Sequence, residues 1–301
     1  MTKKAFAPRE LIGENRPTLW MAPLLAIVTL FYLYPAFEVL RFSITNASLQ
    51  SPDYEYTLRT FANVLSDPVL YKVLRITAIF VAASVVFQLA LGLLIAVAVN
   101  RARRRRLPGM VFVRTIILSA WVMPGVVIGI VWAIIFNEAS YGLANLVLSP
   151  IGLGGLAWLS DPNLALMSII IANVWRGTAF SMILQYAGLQ SIPDELYEAA
   201  EVDGANALQS FWSITIPQLR PMLMINIILI TIQTLNSFDM VLALTGGGPG
   251  QATEVLALHT YNVIFREYSL ASGAVLAVIM LLISLVITLG YRRLLRSEGV
   301  V

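Results

Sequence analysis

Long apolar stretches separated by short polar segments organise this 301-residue chain. A bilayer core about 30 Å thick demands roughly 20 apolar residues in a helix, because every backbone amide must find its partner within the segment. Six stretches meet that demand, at about Leu19 to Phe37, Ile76 to Val99, Thr115 to Phe136, Leu164 to Leu189, Met222 to Leu244 and Leu270 to Leu289. No stretch alternates apolar and polar residues with the period of a strand. Pro23, Pro35 and Pro124 fall inside spans and predict bends rather than ends, since neighbouring helices in a bundle offset a lost amide donor. The expected organisation is all-α and integral to the membrane. It comprises a cytoplasmic tail (1–18), a six-helix transmembrane domain (19–294) and a short cytoplasmic tail (295–301).

Composition agrees with this pattern and removes several chemistries. Residues are 58% hydrophobic and 12% charged, against roughly 25% charged in an average soluble domain. With no cysteine, disulfides, thiolate metal sites and cysteine nucleophiles are excluded. The one histidine, His259, sits in an external loop and reads as structural or incidental. No catalytic or metal-binding set is expected.

Net charge is +3, but the positives cluster: Arg101, Arg103, Arg104, Arg105 and Arg106 follow the second span. Beside a hydrophobic span such a run marks the cytoplasmic side rather than nucleic acid. Lys3, Lys4, Arg9 and Arg16 precede the first span, and Arg292, Arg293 and Arg296 follow the sixth. With six spans all three basic segments share one side, so both termini are expected in the cytoplasm. The first apolar run is long and others follow, which reads as a retained helix rather than a cleaved leader. Trp20 and Tyr291 occupy positions suited to interfacial aromatics.

The loop from Gln190 to Pro221 then faces the cytoplasm, yet it is acidic: Asp194, Glu195, Glu198, Glu201 and Asp203 against Arg220. Ser191, with its hydroxyl as N-cap, and Pro193 in the first turn predict a helix start, with a short helix running to about Val202. Gly204 tolerates a left-handed bend, and Asp203 is positioned to cap a second helix whose Leu208, Phe211, Trp212 and Thr215 share a face until Pro217 stops it. Two short helices joined at a glycine suit insertion into a partner's groove, while a solvated acidic surface helix is the plainer alternative.

Glu198-Ala199-Ala200-Glu-Val-Asp203-Gly204-Ala205, followed by Phe211 and Pro217, resembles the EAA loop of ATP-binding-cassette importer permeases. The lead-in Ile192-Pro193-Asp194-Glu195-Leu196-Tyr197 is similar too. Phe238-Asp239 and Leu244-Thr-Gly-Gly-Gly-Pro-Gly250, with Ala252-Thr-Glu254, resemble the carbohydrate-uptake group of that family, closest to its maltose-type and glycerol-phosphate-type first permease subunit. Relative to the maltose permease, extra N-terminal helices and a large external insertion are missing. The resemblance implies a type I importer permease fold in the bacterial inner membrane. It also implies coupling helices at Glu198, Ala199, Ala200, Asp203, Gly204, Ala205, Phe211 and Pro217 that sit in a cleft of a cytoplasmic ATPase. The implied partners are a second homologous permease, two such ATPases, an external substrate-binding protein, membrane lipid and a small carbohydrate-like solute, with no nucleic acid. An ion-coupled secondary transporter is the alternative; it would need intramembrane ionisable relays, and only Arg176 and Asp239 offer one.

Nucleotide chemistry belongs elsewhere in such an assembly. A phosphate-cradling Gly-Lys is absent, because the lysines are Lys3, Lys4 and Lys72 and none follows a glycine. ATP and Mg are therefore expected on the partner ATPase, with no cofactor on this chain. A path for solute needs polar groups turned into the bundle. Asn173, Gly177 and Phe180 at helical spacing in the fourth span, and Gln233, Thr234 and Ser237 in the fifth, are the candidates. The resemblance aligns these stretches with the family's sugar-contacting positions, although Gln233 and Thr234 differ from the maltose permease. The alternative is interhelical polar contact. Arg176, deep in an apolar span, faces a cavity or pairs with an acid, Asp239 being the candidate partner.

Overall fold

The computed structural model describes residues 17–139 and 142–297, so Lys3, Lys4, Arg9 and Arg16 lie outside the described residues. Helices follow one another along the chain. The first rod comprises α1 (Pro17–Val28), a π-helical segment (Thr29–Leu33) and α2 (Tyr34–Ser43). Next come α3 (Arg59–Ser66), α4 (Pro68–Arg104), α5 (Met110–Val122), α6 (Gly125–Ile135) and α7 (Leu143–Leu148). Beyond α7 lie α8 (Pro162–Gln190), α9 (Asp194–Val202) and α10 (Ala207–Ser210). A second π-helical segment (Phe211–Thr215) leads into α11 (Ile216–Leu235), and α12 (Asp239–Leu244), α13 (Leu256–Phe265) and α14 (Leu270–Ser297) complete the fold. Among the described residues the extended pairing amounts to two isolated bridges, Thr45 with Tyr56 and Ser48 with Ser51.

Five helical runs are long and apolar enough to cross a membrane, and the bent pair α5–α6 makes a sixth if counted as one span. The α4 and α8 runs begin alike. Asp67 accepts from the Val69 amide at 2.8 Å, and Asp161 accepts from the Asn163 and Leu164 amides at 2.9 Å. In both, a proline stands at the first helical position, where no amide partner is lost.

Around α8 the bundle is densest. It lies along α4 because both helices carry small residues where they meet. A Cβ at Gly92 would fall 2.6 Å from Ser181 Oγ, and one at Gly177 would overlap the Gln88 amide. Backbones that approach this closely gain packing and interhelical hydrogen bonds in an environment where burial of apolar surface supplies little drive. Those bonds are present: Gln88 Nε2 donates to Asn173 O (3.1 Å), Gln185 Nε2 to Leu89 O (3.1 Å) and Asn226 Nδ2 to Ser181 Oγ (2.7 Å). In contrast, the α1–α2 span has no residue buried in its most apolar window and faces outward.

Several boundaries differ from the sequence reading. The third expected span is broken: α5 and α6 meet at Pro124 with a bend of 100°, more than the expected kink. The fifth starts earlier and stops sooner. Pro217 does not end the second coupling helix, because Ala207 to Leu235 runs as one 29-residue helix. The π segment before it explains this: Ile216 N bonds to Phe211 O, five residues back, so the widened turn precedes the proline ring. Pro35 follows Thr29–Leu33 by the same device, with Tyr34 N bonded to Thr29 O. At the other end Asn236–Phe238 breaks the run, leaving α12 separate.

Candidate functional site

At the end of α4 that carries the arginines, α8 turns into α9. Ser191 is not the N-cap of α9; its hydroxyl donates back to Gly188 O at 2.8 Å, and Pro193 takes the cap position. Asp194 and Glu195 occupy the first turn of α9, favourable at a positive helix end. Gly204 has φ +81, and no atom lies within 4 Å of where its Cβ would sit. Asn206, not Asp203, caps α10: it accepts from the Leu208 and Gln209 amides at 3.0 Å, while Gln209 Oε1 accepts from Asn206 N at 2.7 Å. Both residue types suit the position, but the bend at Gly204 moves the helix start three residues onward.

Glu198, Ala199, Asp203 and Gly204 are exposed; Ala200, Ala205 and Phe211 are half-buried; Pro217 is exposed. The segment is tied back to the bundle. Arg104 Nη2 pairs with Asp194 Oδ1 at 2.7 Å, its guanidinium lies 4.7 Å from the Tyr197 ring centre, and Tyr197 shares a 2.9 Å hydrogen bond with Thr215. An exposed ion pair contributes ~0–1 kcal/mol, so this tether sets position more than stability. The arginine run thus holds the acidic helix as well as marking a side.

A cavity of about 330 Å³ opens between α8 and α11. Of the expected path residues, Asn173, Arg176, Gly177, Gln233, Thr234 and Ser237 line it. Phe180 does not; its ring stacks on Trp121 at 5.4 Å, placing Trp121 at the wall instead. Asn173 Nδ2 donates to Thr234 Oγ1 at 3.3 Å, so these two also act as interhelical contact, while Ser237 Oγ is buried without a partner. Arg176 and Asp239 share the cavity but make no ion pair within 4 Å, against the expected pairing. Asp239 instead packs against Gly125, where any side chain would overlap its carboxylate, at the positive N-terminal end of α6.

Opposite the arginine end, the glycine run forms a built loop. Gly246, Gly247 and Gly250 hold positive φ, Thr253 Oγ1 donates to Gly248 O at 2.7 Å, and Lys72 Nζ donates to Gly250 O at 2.8 Å. His259 is not in a loop; it lies buried on α13 with Nδ1 3.0 Å from Glu254 Oε1. The His259 bond holds the Glu254 carboxyl below its usual range, outweighing burial, with help from Asn262 and Lys72. A depressed acid contributes stability above its unfolded value near 4.5 and loses it as pH falls through the folded value. The stability gap between wild type and Glu254→Gln is therefore expected to be widest at neutral pH. It should close below pH ~4.5, read by thermal unfolding in detergent; a gap that grows on acidification contradicts the assignment.

Residues 88–298, which include every residue lining the cavity between α8 and α11, match the family described as the binding-protein-dependent transport system inner membrane component. The chain belongs to this family. The permease is 36% identical over 271 residues to the trehalose/maltose transport system permease protein MalF of Thermococcus litoralis, covering 89% of this chain and 90% of that one. It is 32% identical to the sulfoquinovosyl glycerol transport system permease protein SmoG of Agrobacterium fabrum, covering 93% and 90%. With the sn-glycerol-3-phosphate permease UgpA of the same organism it shares 31%, covering 90% and 92%. A solved bacterial ABC transporter for import of the acidic polysaccharide alginate shares the fold, with TM-score 0.79 at 20% identity over 94% of this chain and 96% of that one. The permease is thus an inner-membrane transport component and not an enzyme, and nothing among these relatives supports an ion-coupled transporter.

Sequence reasoning missed four cavity residues of the permease: Gln88, Trp121, Asn236 and, as a lining group, Asp239. Gln88 was available, being the polar side chain in the middle of the second span, where it must face protein or cavity.

Proposed function

We propose that this chain is one permease half of an ATP-driven, binding-protein-dependent importer for a sugar, oligosaccharide, polyol or glycerol derivative. The carrying observation is that one unbroken helix, Ala207–Leu235, joins the exposed bend at Gly204 to the cavity at Gln233 and Thr234. In this reading a second permease completes the path, two cytoplasmic ATPases hold ATP and Mg, and an external binding protein delivers solute at the glycine-loop end. Glu198, Ala199, Ala200, Asp203, Gly204, Ala205, Phe211 and Pro217 form the ATPase contact. Six spans, counting α5–α6 as one, with both termini cytoplasmic belong to this reading, and the arginines beside α9 support it.

The relatives' names support the solute class, ranging from trehalose/maltose to sn-glycerol-3-phosphate. Amides and hydroxyls of Asn173, Gln233, Asn236 and Ser237 match sugar hydroxyls, and Trp121 offers a ring face. Purification from the native membrane should bring an ATPase subunit with the chain, and vesicles holding that complex should take up a labelled disaccharide or glycerol phosphate only with ATP and binding protein. Uptake driven by an ion gradient without ATP would sink the reading. Arg176→Gln reports the solute's charge: a loss confined to anionic solutes, by about tenfold or more for a charge-assisted contact, marks an anionic cargo. Equal retention of neutral and anionic uptake removes Arg176 from recognition.

A further inference from the structure

We infer that the arginine end of α4 carries a binding site for an anionic phospholipid of the cytoplasmic leaflet. The inference rests on the orientation proposed above. A groove of about 490 Å³ runs along α4, distinct from the solute cavity. Ala90, Leu93, Leu94, Val97, Ala98 and Arg101 line it at spacings of three, four, seven, eight and eleven residues, a single lane three turns long. Small side chains at Ala90 and Ala98 hollow the lane, and Phe211, from the π segment beside α10, forms a wall. Leu94 is 66% exposed within it.

A lane of this kind facing hydrocarbon needs no protein to cover it, but its end is what commits the occupant. Arg101 closes the groove, and Arg105 follows one helical turn later. Of the five arginines only Arg104 is engaged in an ion pair among the described residues; Arg101, Arg103, Arg105 and Arg106 are exposed with none. An acyl chain fits the apolar lane while a phosphate meets the guanidiniums, and basic clusters immediately cytoplasmic of a span favour anionic over zwitterionic headgroups. Because Phe211, Val97 and Arg101 also line the cavity beneath α9, the lipid would touch the floor of the coupling segment.

The whole transporter, purified with its partner subunits, serves as the test. Native mass spectrometry after reconstitution in phosphatidylcholine with or without phosphatidylglycerol should show retained phosphatidylglycerol. Arg101→Gln should weaken retention roughly fivefold and Arg101→Gln with Arg105→Gln roughly 25-fold. Ala98→Phe should displace the lipid with every charge intact. The chain has no cysteine, so Leu94→Cys carries a unique photo-cross-linker on this subunit; an adduct with phospholipid is expected. Equal phosphatidylglycerol retention by wild type and all three variants overturns the inference, as does cross-linking solely to a partner subunit. ATPase co-purification scores the importer reading separately, so either can fail alone.

Discussion

Gly204→Val is expected to abolish most ATP-driven uptake while leaving membrane insertion intact. At φ +81 an L side chain is strained, and nothing lies within 4 Å to clash with it, so the effect is conformational rather than steric. Left-handed backbone costs a non-glycine residue roughly 1–2 kcal/mol, about a tenfold shift away from the bend, and a β-branched residue sits at the upper end. Loss of the bend swings α9 relative to α10, and the contact proposed for the ATPase disappears. Gly204→Asn, which tolerates the left-handed region, should retain most uptake. Proteoliposome measurements of ATPase rate and uptake together decide the point. Hydrolysis should persist in the valine variant without matching transport; full uptake by Gly204→Val, or equal failure of Gly204→Asn, would count against the coupling role.

Gly92→Val is expected to destabilise the fold. Its Cβ would lie 2.7 Å from Ser181 Cβ and 3.0 Å from the Met182 backbone nitrogen, neither of which can retreat within α8. Overpacking of this kind costs about 1–3 kcal/mol. Ser181 Oγ also receives hydrogen bonds from Gln185 (2.9 Å) and Asn226 (2.7 Å), so separating α4 from α8 strains the three-helix junction as well. Breaking it leaves buried amides unpaired at roughly 1–3 kcal/mol each. A fall in detergent melting temperature and in yield is expected, with Gly290→Ala as a neutral control because nothing surrounds it. An unchanged melting temperature for Gly92→Val would contradict this packing.

The spans were legible because bilayer thickness dictates their length whatever they pack against. Pro162–Gln190 lies within two residues of the expected Leu164 to Leu189. Where proline was read as a stop, the error came from assuming an α turn; a π turn before Pro217 absorbs the ring, and no local residue pattern announces it. The break at Asn236–Phe238 was hidden because the apolar run resumes at once in α12. His259 was misplaced for a different reason: α13 is ten residues long, too short to be noticed as a span, yet buried by α4 and α14. The cavity residues on α8 and α11 were visible from spacing, whereas Trp121 required knowing that α5 bends away at Pro124.

The continuous helix from Ala207 to Leu235 also has a mechanical ratio. Its deepest polar fixture is Asn226, bonded to Ser181 on α8, and it stands 19 residues beyond Ala207 and nine before Leu235. At 1.5 Å per residue these arms measure roughly 28 Å and 14 Å. On the proposed coupling role, a rod tilting about Asn226 halves the travel delivered from the ATPase end and doubles the force. Small, strong displacements at Gln233 and Thr234 are what loosening a grip on a hydrogen-bonded solute requires.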